Sequence, residues 1–532
     1  MRHHRAALSI TALFGAVVLA ACSTPTGAGS GSGSGSGAAK EGGTVTVGLA
    51  EAPDQLDPTV AQTYVGRIVF ANFCEKLYDV NSRLNLVPQL AASLPQITDG
   101  GKTYTIKLRS GVKFNDGTPL DAKAVKTTLE HYKTDPKSAR AAELTQVKSI
   151  DVVDPHTVRL NLTTPFAPLT SILADRSGMI LSPKQLDKLG DDFSRHPVCV
   201  GPFQFKSRPS SDQIHLVKSR YYYDKSAVHL AGVNFTVVTQ PNVRAANLRS
   251  GDIDIADRIR PPDVATLKKA PGVKLDPVTS LGYQGITLNV SNGNGAGKSP
   301  HKTVNLPLAQ HPELRQAFSL ALDRDTINKV VYQGQFVPGC TPISPVSPDA
   351  TGIRCPARNV AQAKRLVAQS GVHTPIKVKL VVQSGDTEQT RLGTLIKSEA
   401  QAAGFDVSVQ QTEFTTALTQ AQSGKFEAFQ IGWSGRLDPD QNIAPFWDPS
   451  SALNYSGADY PDVMKLIAQE RGTTDQAQRK RIFAQLAQAL MRHGNIIYLF
   501  HEKNILGYSD HVSGIQYFGD GLIRLTSAQR TG

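Results

Sequence analysis

From Gly42 to near the end of its 532 residues the chain interleaves two periodicities, with no long linker and no internal repeat to divide them. GGTVTVGLA (42–50), AGVNFTVVT (231–239), IKVKLVV (376–382) and FDVSVQQ (405–411) predict strands. The stretches 62–78, 121–132, 241–250, 314–323, 359–369, 387–403 and 475–491 predict helices by their three-to-four spacing. Strands alternate with helices in both halves, which predicts α/β lobes interlaced by several chain crossings. Local punctuation agrees. Asp121 sits where an N-cap belongs, with Val125, Leu129 and Tyr132 on one helical face. Asn115-Asp116-Gly117 and Asp154-Pro155 mark turns, the latter inside a strand pair at 148–163, and Gly404 closes the 387–403 helix. TYTIKLRSGVKF (103–114) reads as two strands broken at Ser110-Gly111, and NIIYLF (495–500) as a buried strand.

With 40% hydrophobic and 19% charged residues the chain can build a large core, which excludes global disorder. The one apolar run near membrane length is N-terminal, which excludes a polytopic membrane protein. The formal charge of +12 is spread thinly, without a basic tract, zinc spacing or RNA-binding signature, so no nucleic-acid partner is expected.

The first residues specify a compartment. MRHHR is a basic segment, and residues 6–21 form an apolar stretch shorter than the roughly 20 residues a spanning helix needs. This is the form of a secretory signal, 1–21, and Leu19-Ala20-Ala21-Cys22 resembles the bacterial lipobox, with Cys22 as the lipidated residue. An ordinary signal with a chance cysteine is the plainer alternative. Residues 22–41, Gly/Ser-rich, read as a flexible tether between a lipid anchor and a folded body.

Four more cysteines, Cys74, Cys199, Cys340 and Cys355, suggest disulfides in an exported chain, and three pairings are possible. Cys340 and Cys355 bracket the segment TPISPVSPDATGIR, where a bridge would staple a coreless loop; Cys74 with Cys199 would then join distant segments. Free buried thiols are the alternative.

Several ordered stretches resemble the family 5 extracellular solute-binding proteins of ABC importers, the peptide/nickel-binding class. GGTVTVGLAEAPDQLDPT (42–59) matches the family's opening strand and Leu-Asp-Pro turn, and GGKTYTIKLRSGVKFNDGTPLDAKAV (100–125) its next strands and turn. Gly201-Pro202-Phe203, NLRSGDIDIA (247–256), LRQAFSLALDRDTI (314–327) and GWSGRLDPDQN (432–442) follow with family-like spacing. The resemblance implies a class II periplasmic-binding-protein-like α/β fold: two lobes closing on ligand, plus a smaller extra domain. By analogy the first lobe takes 42–80, 198–286 and 498–532, the extra domain 81–197, and the second lobe 287–497. It implies a receptor, not an enzyme, that captures an oligopeptide or similar small polar solute; a monomer without cofactor or bound metal is expected, with a glutathione-like molecule, a sugar or a metal chelate left open as the ligand. It passes this cargo to permease subunits with associated ATPases from the outer face of the membrane.

Carried over from the family's cleft, the ligand contacts are Tyr64, Tyr283, Asn289, Trp433, Arg436, Asp438, Asn454 and Tyr455. Aromatic faces and amides grip a backbone while tolerating different side chains; plain packing or a turn is the alternative for each tyrosine and asparagine. One departure matters. Peptide binders of this family place an aspartate three residues after the tryptophan, toward the peptide ammonium, whereas this chain has Arg436. Either Asp438 takes over that work, or Arg436 receives an anionic group of the ligand; a solvent-facing loop arginine is the plainer alternative.

GNGAGKS (293–299) imitates a phosphate loop, but Asn292 stands where that pattern needs glycine and Pro300 follows it. The thirteen histidines show no paired metal spacing. The rival functions are a lipid-anchored envelope hydrolase, for which no Gly-x-Ser-x-Gly elbow appears, and a non-transport envelope scaffold on the same fold.

Overall fold

The computed structural model describes residues 39–40 and 42–531. The signal segment, Cys22 and nearly all of the proposed tether lie outside the described residues. No described helix is long and apolar enough to cross a membrane.

Two sheets organise the body. The first runs Val273–Thr279, Lys503–Ser509, Ile255–Ala256, Thr44–Leu49, Gly232–Val237, Gln213–Lys218, Phe203–Ser210. Its centre, Thr44–Leu49, lies parallel to Gly232–Val237 and to Ile255–Ala256, and Val45, Val47 and Leu49 are fully buried. The second runs Val337–Pro338, Ile496–His501, Tyr283–Leu288, Ala428–Trp433, Ile376–Gln383, Phe405–Thr412. Here Ile376–Gln383 and Phe405–Thr412 pair in parallel, joined by the helix Thr387–Gln401 whose Leu392, Ile396 and Ala400 are buried. A smaller antiparallel sheet, Gln96–Thr98, Thr103–Lys107, Thr157–Leu162 and Val147–Asp154, carries the helix Ala122–Thr134. Asp121 caps that helix by accepting from the Ala124 N–H at 2.8 Å, with Val125, Leu129 and Tyr132 buried. Two lobes and an extra domain are therefore present.

The core is unevenly shared. One apolar cluster runs without a break from the first sheet (Val45, Val47, Phe235) into the extra domain (Tyr104, Ile106, Leu129, Leu160). The second lobe keeps its own clusters, around Phe318, Leu380 and Phe405 and around Trp447 and Phe483. Between them stands a small patch of Val80, Leu84 and Leu281 with Leu437 and Phe518.

The chain passes from the first sheet to the second between Thr279 and Tyr283, and returns between His501 and Lys503. These crossings lie a few residues from the lobe boundaries expected at 286/287 and 497/498. The two crossing segments run side by side: Val273–Thr279 pairs with Lys503–Ser509 in one lobe and Tyr283–Leu288 with Ile496–His501 in the other. At the crossover the Ser280 N–H donates to the Glu502 carbonyl at 2.8 Å, and the buried His501 ring is bonded through Nδ1 to the Gly282 carbonyl at 2.7 Å.

Cys74 is bonded to Cys199 (Cα–Cα 4.9 Å), and Cys340 to Cys355 (5.5 Å). Two secondary-structure expectations differ from the fold. The helix expected over 62–78 spans only Tyr64–Phe70, because Cys74 is bonded to Cys199 and Lys76 bridges to Met179 in extended conformation. The second strand expected within 103–114 is reduced to one bridge, Lys113 with Pro119, since Pro119 offers no N–H to extend a ladder.

Candidate functional site between the lobes

The turn after Ala428–Trp433 is built to lie against the crossover. A Cβ on Gly282 would come 2.1 Å from the Trp433 carbonyl, and one on Gly435 2.4 Å from the Gly282 nitrogen; Gly435 also has φ +80°. Both positions therefore require glycine. Asn442, near the start of the helix Asp440–Trp447, then fixes what the turn presents. Its side-chain oxygen accepts from Trp433 Nε1 (3.1 Å) and the Arg436 N–H (2.7 Å), while its amide donates to the Arg436 carbonyl (2.8 Å). The Arg436 guanidinium lies 4.6 Å from the Trp433 ring centroid, and Phe446 meets that ring edge-on.

Opposite stands the helix Tyr64–Phe70, capped by Thr63 and carrying Tyr64 and Arg67 one turn apart. The Tyr64 hydroxyl donates to the Gly521 carbonyl at 2.7 Å. The Arg258 guanidinium lies 5.3 Å from the Tyr64 ring. Tyr64, Arg258, Glu502, Trp433 and Arg436 all keep accessible surface although protein surrounds Tyr64, Arg258, Glu502 and Arg436 densely. Glu502 and Trp433 stand at the crossover itself, Glu502 through its carbonyl and Trp433 through its contact with Gly282.

The two sides meet on Asp175 of the extra domain. Arg67 Nε donates to one carboxylate oxygen at 3.1 Å, Arg436 Nε lies 3.6 Å from the other, and Arg176 Nε lies 3.8 Å from the first. Arg140 pairs with Glu143 at 2.7 Å, and Glu143 also accepts from the Ser177 hydroxyl. Arg176 and Arg140 both donate to the Ala61 carbonyl, at 2.9 and 3.4 Å. Burial alone would raise the Asp175 carboxyl, but Arg67, Arg176, Arg436 and Arg140 hold it well below the usual carboxylate range. Burial, opposed by Asp175 and reinforced by the neighbouring arginines, lowers Arg176 to about 9. Burial followed by repulsion from Arg67 lowers Arg436 to about 10.

The remaining expected contacts lie elsewhere. Asp438 is occupied: Arg479 donates to both its oxygens, at 2.6 and 2.8 Å, and Glu470 shares that guanidinium. Its carboxylate is thus already paired, not free to receive an ammonium. Tyr283 is buried, edge-on to Tyr498 and Phe446, and with Tyr455 it borders a void of about 20 Å³, room for one water and no more. Asn289 donates to the Gly424 and Phe426 carbonyls, and Asn454 to those of Asp448 and Ala458. Both asparagines, fully buried, tie turns of the second lobe. A wider cavity of about 450 Å³ opens beside the site, between the extra domain (Leu84, Leu86, Thr170) and the second lobe (Leu437, Asp349, Arg479). Burial and Asp438 push the Asp349 carboxyl there up to about 6.

Arg67, Arg140, Asp175 and Arg176 were not expected from the sequence. A signal for three of them is present: YVGRIVF and SILADRSGMIL each set charges inside an apolar run, where only paired charges are tolerated. Among the described residues no cluster of His, Cys, Asp and Glu is arranged to hold a metal ion.

Comparison with known proteins places this geometry in a family. Residues 85–454 match the model of bacterial extracellular solute-binding proteins, family 5 Middle. The glutathione-binding protein GsiB of Escherichia coli O1:K1 / APEC is 25% identical over 496 residues, covering 91% of this chain and 93% of that protein. Among solved structures, the ABC transporter substrate-binding protein CtaP of Listeria monocytogenes superposes with a TM-score of 0.83 at 21% identity, covering 93% of this chain and all of that one. The oligopeptide-binding protein AppA of Bacillus subtilis, in complex with a nonapeptide, gives 0.77 at 22% identity with the same coverage. With two lobes joined by paired crossings, an extra domain, and the family's pattern across most of its length, this chain belongs to the family 5 bacterial extracellular solute-binding proteins, which bind cargo for transport and are not enzymes.

Proposed function

We propose that this protein captures a small peptide or glutathione-like solute between its lobes and delivers it to the permease of an ABC importer. The observation that carries the reading is the convergence of Arg67 from the first lobe and Arg436 from the second on one carboxylate, beside Tyr64 and Trp433. A solute reaching both sides binds the closed arrangement better than the open one, and only such a differential affinity can drive closure. Micromolar binding corresponds to about −8 kcal/mol, ample to bias a modest gap between open and closed states. Tyr64, Trp433 and Arg436 face the cargo in this reading, with Tyr283, Asn289, Asn454 and Tyr455 shaping the second-lobe wall behind them. The named binding activities of GsiB and AppA support a peptide-like cargo.

In this reading the first lobe comprises about 42–80, 198–279 and 503–532, the second lobe 283–501, and 81–197 is the extra domain, since the sheets change over at 280–282 and 502. Cys22 carries the lipid that holds the mature protein, a monomer, at the outer face of the membrane. Native mass spectrometry of protein purified from its host, followed by thermal-shift assays with peptide pools, tests the cargo. Stabilisation with the peptide recovered intact supports capture, and a cleaved product or no response from any pool refutes it. Anchoring is tested by fractionation: Cys22→Ser should move the protein from membranes to the soluble fraction.

A further inference from the structure

The four arginines at the junction carry four positive charges, yet among the described residues they touch only two carboxylates, Asp175 and Glu143. The next carboxylate, Asp520, attracts Arg67 but is itself bonded to Arg524. The adjacent group of Asp79 and Asp520 with Arg524 and Lys76 is balanced within itself, at 2.9, 2.5 and 2.7 Å. On the far side of Tyr64, Arg258 is already paired with Asp257 and Glu51. Three guanidinium nitrogens, Arg67 Nη1, Arg140 Nε and Arg176 Nε, are buried without a hydrogen-bond partner among the described residues, and the three side chains are 5–8% exposed or less. Buried cations short of both counter-charge and acceptors are costly unless something else supplies them.

The arrangement also divides across the cleft. Arg67, Arg140 and Arg176 stand on the first-lobe and extra-domain side, and Arg436 alone comes from the second lobe. Asp175 holds Arg67 at hydrogen-bond distance but Arg436 only at 3.6 Å, so the pair across the cleft is loose. Closing the lobes without cargo brings Arg436 toward three like charges that Asp175 and Glu143 incompletely screen. An anion arriving there converts that repulsion into a bridge, and a planar fork such as guanidinium suits carboxylate or phosphate oxygens.

We infer that the cargo of this protein presents a dianionic end, two carboxylates or a phosphate, which sits between Arg67 and Arg436 and supplies the two negative charges the cluster lacks. The inference rests on the capture reading above and narrows it. It also turns electrostatics into a closure signal: neutral solutes of the same shape leave the arginines repelling and the cleft open.

The test is calorimetry on the full-length protein with Ala-Ala-Glu, whose last residue places two carboxylates at one end, against Ala-Ala-Gln, with inorganic phosphate and succinate as non-peptide probes. Ala-Ala-Glu should bind at least tenfold more tightly than Ala-Ala-Gln. That ratio should fall below threefold in Arg436→Gln and in Arg67→Gln, and survive in Arg436→Lys, which keeps the charge; melting curves of each variant confirm folding. Should Arg67→Gln fail to fold, Arg436→Gln, from a more exposed side chain, still decides the matter. Binding of succinate or phosphate alone, lost in Arg436→Gln, would uphold the dianionic end while refuting a peptide cargo, and would tell the two anions apart. Equal binding of the two tripeptides, or a ratio unchanged in Arg436→Gln, would leave the peptide reading standing and overturn this one. No response of the wild-type protein to any anionic probe also overturns it.

Discussion

Two buried networks of arginines and carboxylates lie a few residues apart along the chain, and they are built in opposite ways. In the second lobe, Arg479 grips Asp438 through both oxygens and Arg471 grips Asp440 at 2.7 and 3.2 Å. The fifth member, Glu470, is pushed well above the usual carboxylate range by burial and by Asp440; its Oε2 accepts from Arg479, and its Oε1 finds no hydrogen-bond partner among the described residues. At the lobe junction, four arginines share Asp175 and Glu143, contacts across the cleft are long, and three nitrogens go unsatisfied. The second-lobe network meets each of its carboxylates with an arginine of its own. The junction network, which leaves charge outstanding at a surface where lobes meet, is arranged for a visitor.

Breaking the second-lobe network should give the largest effect. Arg479→Met strands Asp438 in a buried site and should cost about 3–5 kcal/mol, with or without anionic solute, as read by denaturant unfolding. A loss under 1 kcal/mol would make the two networks equivalent and remove the contrast.

Titration should separate them next, because their signs differ. The folded-state pKa of Asp175 is depressed, so its contribution is present above the ordinary carboxylate pKa and is lost as pH falls below about 4 toward the folded value. The folded-state pKa of Glu470 is raised, so the stability tied to its bound proton is full below about 4.5 and declines as pH rises toward the folded value. Asp175→Asn should therefore flatten the stability profile on its acid side, and Glu470→Gln above pH 4.5. Profiles unchanged in both variants would remove the assignment. Smaller still, Trp433→Leu removes the face beneath Arg436 and should weaken anionic cargo by about 1 kcal/mol, roughly fivefold in Kd, with little change in melting temperature. The smallest expected effect is the most telling: Arg436→Met should change the stability of the cargo-free protein by no more than about 0.5 kcal/mol, since the lost pair is loose and a repulsion goes with it.

The two regions were also unequally legible in sequence. Elements set by local pattern emerged where expected. Asp121 caps its helix, the strand pair folds at Asp154-Pro155, and the helix and strands across 376–412 follow their periodicity. What depends on distant partners did not. Asp438 lies in a cleft motif, and nothing nearby announces Arg479, forty-one positions later, as the owner of its oxygens. Arg436 was visible as a motif departure, whereas Asp175, Arg140 and Arg176 reach it only through tertiary packing. Cys74 and Lys76 ended the expected 62–78 helix early for the same reason: a bond to Cys199 and a bridge to Met179 outweigh helical spacing.

The side-by-side crossings at 280–282 and 502 are the links that carry the chain from one sheet to the other. Links of three residues and one, bonded to each other from Ser280 to Glu502 and from His501 to Gly282, leave no slack for sliding or independent twisting. In the capture reading proposed above, an opening motion would pivot on this pair of links.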